Sequence, residues 1–122
     1  MKRKRILIVD DESRVAFFLQ EGLKGLGDEY DVQAIGSAEL ALEQIHKRPF
    51  DLLVVDFRLP GINGLDLIKR VRSVNPGAKT ILITAYGSPE IESEARQLDI
   101  SRYLHKPFRI QELMHTVQGI LA

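Results

Sequence analysis

The chain has 122 residues, 44% of them apolar, which suits one domain with a core of its own. Its 17 basic and 17 acidic residues cancel, so no whole-domain charge favours nucleic acid or an anionic membrane. The absence of cysteine excludes disulfides and thiolate metal sites, and the lack of a membrane-length apolar run or a signal-peptide core makes the cytoplasm the expected location.

Met1 to Arg5 is a short basic run that reads as a solvated lead-in to the first strand, residues 5–9. Ile6-Leu7-Ile8-Val9 then ends abruptly in Asp10-Asp11. Val15, Phe18, Leu19 and Leu26 stripe a first helix, which breaks at Gly27. Residues 31–35 form a second strand, mixed enough in polarity to suit a sheet edge. Ser37 is the N-cap expected for a second helix, striped by Leu40, Leu42 and Ile45 and broken at Pro49. The third strand, Leu52-Leu53-Val54-Val55, runs into Asp56. Pro60, Gly61 and Gly64 supply a turn before a third helix marked by Leu65, Ile68 and Val71, and Asn75-Pro76-Gly77 ends it. Residues 80–84 make a fourth strand that closes on Thr84. Ser88 and Pro89 open a weak fourth helix reaching Leu98, and a fifth strand at 100–104 leads to Lys106. Ile110, Leu113, Val117 and Ile120 stripe the last helix, and a single domain over 1–122 is expected.

Strict β-α alternation predicts an α/β fold, a five-stranded parallel sheet with helices on both faces. The continuously apolar strands 1, 3 and 4 are expected at its centre. Sites in such sheets lie beyond the carboxyl ends of the strands, where strand order reverses. Asp10, Asp11, Asp56, Thr84 and Lys106 therefore arrive at one edge. Taken singly, each acid would serve as a helix or turn cap. Converging there, the three would repel each other and take up protons unless a cation neutralised them. Oxygen-only ligands with an open coordination sphere favour Mg²⁺, with Mn²⁺ as a substitute. One carboxylate is then left to act as a nucleophile, with Lys106 and Thr84 available to phosphoryl oxygens. No Gly-rich loop supports a nucleotide site. His46, His105 and His115 lack metal-ligand spacing and read as solvated or packed.

Four segments together carry a resemblance: Val9-Asp10-Asp11-Glu12, Asp56 through Gly64, Ile83-Thr84-Ala85-Tyr86, and Tyr103-Leu104-His105-Lys106-Pro107-Phe108. With them the chain resembles the receiver domain of two-component response regulators from Lys4 to Leu121. The resemblance implies a flavodoxin-like, doubly wound sheet in the order 2-1-3-4-5. It implies Asp56 as phosphoacceptor, Asp11 as a direct Mg²⁺ ligand, Asp10 acting through a coordinated water, and the backbone carbonyl of Arg58 on the metal. Thr84 and Lys106 would grip the phosphoryl group, and Tyr103 would reorient with Thr84 on activation. The Lys106-Pro107 bond would be cis. The implied partners are a sensor histidine kinase or phosphotransfer protein, with an output domain or effector downstream and a homodimer as one phosphorylated form. Neither nucleic acid nor membrane would be bound by this domain. It would catalyse its own phosphorylation and dephosphorylation without being a turnover enzyme.

Arg58 and Tyr86 depart from the common pattern, two residues beyond Asp56 and Thr84. The resemblance places both beside the path of attacking water, so they are expected to lengthen the phosphorylated lifetime. Arg102 puts a cation where dimerising relatives often carry an acid, and the acids Glu90, Glu92 and Glu94 are expected to be solvated unless Arg102 or Arg109 reaches them. Three other functions fit the residues less well. An aspartyl-nucleophile hydrolase would need a second acid at position 58. A flavin module would need a phosphate cradle where Asp10-Asp11-Glu12 stands. A degenerate receiver acting purely as an interaction module would not need the intact set.

Overall fold

A computed structural model describes residues 2–85 and 87–122. Five strands alternate with five helices: β1 Lys4–Val9, α1 Ser13–Lys24, β2 Tyr30–Ile35, α2 Ala38–Lys47, β3 Leu52–Asp56, α3 Gly64–Val74, β4 Lys79–Thr84, α4 Pro89–Gln97, β5 Arg102–His105 and α5 Ile110–Leu121. The strands are parallel in the order β2-β1-β3-β4-β5. The order reverses between β1 and β3, which puts the two acid-tipped strands side by side.

Alternation along each strand builds two apolar layers. Leu7, Val9, Leu53, Val55 and Leu82 pack under α2, α3 and Ala95 of α4. Ile6, Ile8, Leu52, Val54, Ile81 and Ile83 pack against Leu19 and Leu23 of α1 and Leu113 and Val117 of α5. Both faces of the central strands are buried, so the sequence must be apolar without interruption. On the second layer α1 and α5 approach so closely that a side chain at Gly22 would collide with Ile110.

The helix starts follow from local chemistry. Ser37, Asn63 and Ser88 each accept the backbone N–H three residues on, at 3.2, 2.9 and 3.2 Å. α1 differs: Glu12 is its N-cap residue and makes no side-chain cap. The adjacent acids do not cap that helix, which removes the local explanation for them. β5 begins at Arg102, two residues later than expected. Asp99 takes a left-handed turn at φ 54°, and Ser101 N–H donates to Thr80 at 2.9 Å before strand pairing starts.

At the amino ends of the strands Arg5 forms a clasp. Its amide donates to Asp51 Oδ2 at 2.7 Å, and its guanidinium donates to the carbonyls of Pro49 and Arg48 at 2.6 and 3.1 Å. The same group lies 4.0 Å over the Phe50 ring and 3.8 Å from Asp31 of β2. Arg3 donates to the carbonyls of Asp28 and Tyr30. The basic lead-in is therefore anchored rather than merely solvated. Among the described residues no helix is long and apolar enough to cross a membrane.

Candidate functional site

Strand register assembles the site. Val9 pairs with Val55, so Asp10 and Asp56 are the next residues at neighbouring strand tips. Asp56 pairs with Ile83, one residue before Thr84, and Thr84 pairs with His105, one residue before Lys106. The chemistry sits at or just past the last paired position of four strands, as the alternation predicts.

One carboxylate oxygen from each of Asp10, Asp11 and Asp56 lies within 4.8 Å of the others. Asp10 is 2% exposed and Asp56 6%, whereas Asp11 is open to solvent. Lys106 Nζ stands 3.6 Å from Asp56 Oδ1 and 4.0 Å from Asp10 Oδ2. Asp10 commits its other oxygen, Oδ1, to the Glu12 amide at 2.9 Å. The Lys106-Pro107 peptide is cis, as the resemblance implies.

Burial dominates the electrostatics. It pushes the Asp10 carboxyl up to about 6, with the charge of Asp56 adding to the rise and the Glu12 amide and Lys106 opposing it. Burial also raises Asp56, with Asp11 and Glu12 adding to it, against the pull of Lys106. Three carboxylates thus face one ammonium, an excess of two negative charges when all are ionised. A divalent cation held by oxygen alone balances that excess, so the donor set fits Mg²⁺.

A cleft of about 680 Å³ opens over this cluster, lined by Asp11, Glu12, Asp56, Arg58, Asn63 and Lys106 among others. Asp10 and Thr84 stand behind its wall, buried. Arg58 is exposed at the cleft. Tyr86 lies outside the described residues. Thr84 is 2% exposed at the end of β4. The half-buried Tyr103 turns its enclosed hydroxyl toward Thr84. Burial and Glu92 raise its pKa, and nearby Thr84 moderates the rise.

Several cleft residues carried no sequence signal of their own. Asn63 reads as a helix cap, and it is one. Glu12 was visible only as part of the acidic run. Phe17 and Phe18 are 64% and 57% exposed on α1, and Phe17 lines a groove shared with Asp10 and Asp11. An aromatic on an amphipathic helix looks like core until the helix is placed. Of the acids on α4, Glu92 faces His105 and Glu94 faces Lys69, so among the described residues neither Arg102 nor Arg109 takes them.

Comparison with known proteins agrees with this geometry. A family profile described as the response regulator receiver domain matches residues 6–118. The transcriptional regulatory protein ZraR of Escherichia coli O157:H7 is 36% identical over 117 residues, 96% of this chain and 26% of that protein. The chain thus spans about a quarter of that relative. The sporulation initiation phosphotransferase F of Bacillus subtilis is 30% identical over 121 residues, 99% of this chain and 96% of that one. Among solved structures, a CheY-like receiver domain protein from Methanospirillum hungatei superposes with a TM-score of 0.92 at 29% identity, covering 98% of this chain and 94% of that one. A putative response regulator from Chloroflexus aurantiacus reaches 0.86 at 39% identity, covering 98% of each. Fold, strand order and sequence therefore agree, and the chain belongs to the response regulator receiver domain family.

Proposed function

We propose that the chain is a signalling switch in which Asp56 accepts a phosphoryl group from a phosphohistidine of a sensor histidine kinase or phosphotransfer protein. The observation that carries this reading is the setting of Asp56: almost fully buried, 3.6 Å from an ammonium, and grouped with two further carboxylates. A carboxylate oxygen of Asp56 attacks phosphorus, the P–N bond to the donor imidazole breaks, and the imidazole leaves with a proton. Asp10, Asp11, Asp56 and the carbonyl of Arg58 would hold Mg²⁺, which when bound neutralises charge on the transferring group. Lys106 is placed to move from carboxylate to phosphoryl oxygen, and the Thr84 hydroxyl to reach another. Thr84 and Tyr103 would pass the change to the surface formed by α4, β5 and α5. Phe17, exposed on the groove it shares with Asp10 and Asp11, suits docking of the protein donor.

The test uses a small acyl phosphate as donor. Expected is a mass gain of one phosphoryl group on the intact chain, present with Mg²⁺, absent with EDTA and abolished by Asp56→Asn. No gain in wild type, or a gain that survives Asp56→Asn, overturns the reading.

A further inference from the structure

We propose that His105 is a positioning residue of the switch, a titratable strut that holds α4 and the β4–α4 connection against Tyr103. The role of Tyr103 in this statement rests on the function proposed above; the strut itself rests on geometry. The His105 ring stands edge-on to Tyr103, with centroids 4.8 Å apart and planes at 64°. Its Nε2 lies 3.7 Å from Glu92 Oε1 on α4. A Cβ placed on Gly87 would come within 2.6 Å of His105 Cε1 and 3.1 Å of the Tyr103 hydroxyl oxygen. One imidazole therefore touches β5, α4 and the connection between β4 and α4.

Two features give that contact weight. The only buried residue of α4 is Ala95, so the helix is lightly held and each of its side-chain links, to His105 and to Lys69, counts. The Tyr103 hydroxyl is enclosed and interacts with the Thr84 hydroxyl, so the ring is kept in place by what surrounds it. His105 and Gly87 are part of that enclosure.

Among the described residues, each element packed on the imidazole presents one group. α4 presents the Glu92 carboxylate, β5 the Tyr103 ring, and the connection the backbone of Gly87. β4 presents Thr84, the register partner of His105. Lys106 is turned toward Asp56 and Asp10. At 3.7 Å the contact with Glu92 is too long for a good hydrogen bond, and it is an ion pair only when the imidazole carries a proton. The strut is then tight when the imidazole is protonated and slack when it is neutral. Fifty-five per cent of the His105 side chain is exposed, so the effect is that of a solvent-screened pair.

The experiment is amide hydrogen exchange at Gly87 in the unphosphorylated chain at about pH 6 and pH 8, each rate divided by its intrinsic value. Wild type is expected to be more protected at the lower pH, by up to roughly fivefold. His105→Gln and Glu92→Gln should lose the pH dependence and stay at the less protected level. His105→Lys keeps its charge throughout and should stay protected at both pH values. Protection independent of pH in wild type, or pH dependence that persists in His105→Gln, overturns the proposal. Phosphorylation is not needed for this measurement, so its failure leaves the Asp56 reading standing. Failure of the mass-gain test would equally leave the strut measurable.

Discussion

Asp10 and Asp11 are neighbours in the chain, yet one is buried with a raised pKa and the other meets solvent. That division was legible in kind but not in detail. An acid that terminates a buried strand has no packing role, so Asp10, Asp11 and Asp56 stood out without coordinates, and Thr84 and Lys106 followed from topology. His105 did not stand out. Its carboxylate partner is on α4, and no local pattern reports a contact that exists only once that helix has docked. Arg58 is exposed at the cleft, where its bulk and charge are expected to hinder water. The doubly substituted chain, Arg58→Asn with Tyr86→Ala, should lose its Asp56 phosphoryl group several-fold faster than wild type, where about 1.4 kcal/mol of barrier corresponds to tenfold. Following the phosphorylated mass over time after donor removal measures it, and equal or slower decay refutes it.

The helices were read from their stripes and their serine caps, and those assignments agree with Ser37 and Ser88 as observed. The start of β5 was misjudged because Ile100 looks like strand, while the left-handed Asp99 delays pairing. The entry to α3 was read simply as turn chemistry, and the structure shows a tighter requirement. Gly64 donates its N–H to the Phe57 carbonyl at 2.7 Å, and a Cβ there would lie 2.6 Å from the Asp56 carbonyl oxygen and 3.0 Å from Leu82 Cδ1. The helix thus rests its first residue on the backbone of the proposed nucleophile. Gly64→Ala should push Asp56 out of register with Asp10. Destabilisation of about 1–3 kcal/mol in urea unfolding is expected, together with slower acyl-phosphate labelling in the fraction that remains folded. Unchanged stability and labelling would show that the contact relaxes freely.

For the molecule as a whole, the acidic rim makes stability depend on pH and metal. The Asp10 carboxyl titrates near 6 in the folded chain against 3.8 ordinarily, so the native state holds its proton more tightly than the unfolded state. Stability from this group is therefore full below about pH 4, falls as pH rises to about 6, and has gone above that. Asp56 shifts in the same direction, and its charge adds to the rise at Asp10. The loss at neutral pH is on the order of 2–3 kcal/mol. Asp10→Asn removes one charge while its carbonyl oxygen can still accept the Glu12 amide. In EDTA its unfolding midpoint should exceed that of wild type by several degrees at pH 7 and match it near pH 4. Mg²⁺ should raise the wild-type midpoint more at pH 7 than at pH 5, and raise the variant's less. Scanning calorimetry of both proteins with EDTA and with Mg²⁺ decides it, and a wild-type midpoint in EDTA that is flat from pH 4 to 7 contradicts it.

The Arg5 clasp at the opposite end of the sheet gives this load a direction. Arg5 ties the roots of β1 and β3 together through Asp51, Pro49 and Phe50, and reaches β2 through Asp31. The two acid-tipped strands are joined from that clasp all the way to Val9 and Val55, so the acids meet just past the last paired residues. A change of charge at the rim therefore falls on neighbouring strand ends, where Thr84 and, across the register, His105 stand next in line.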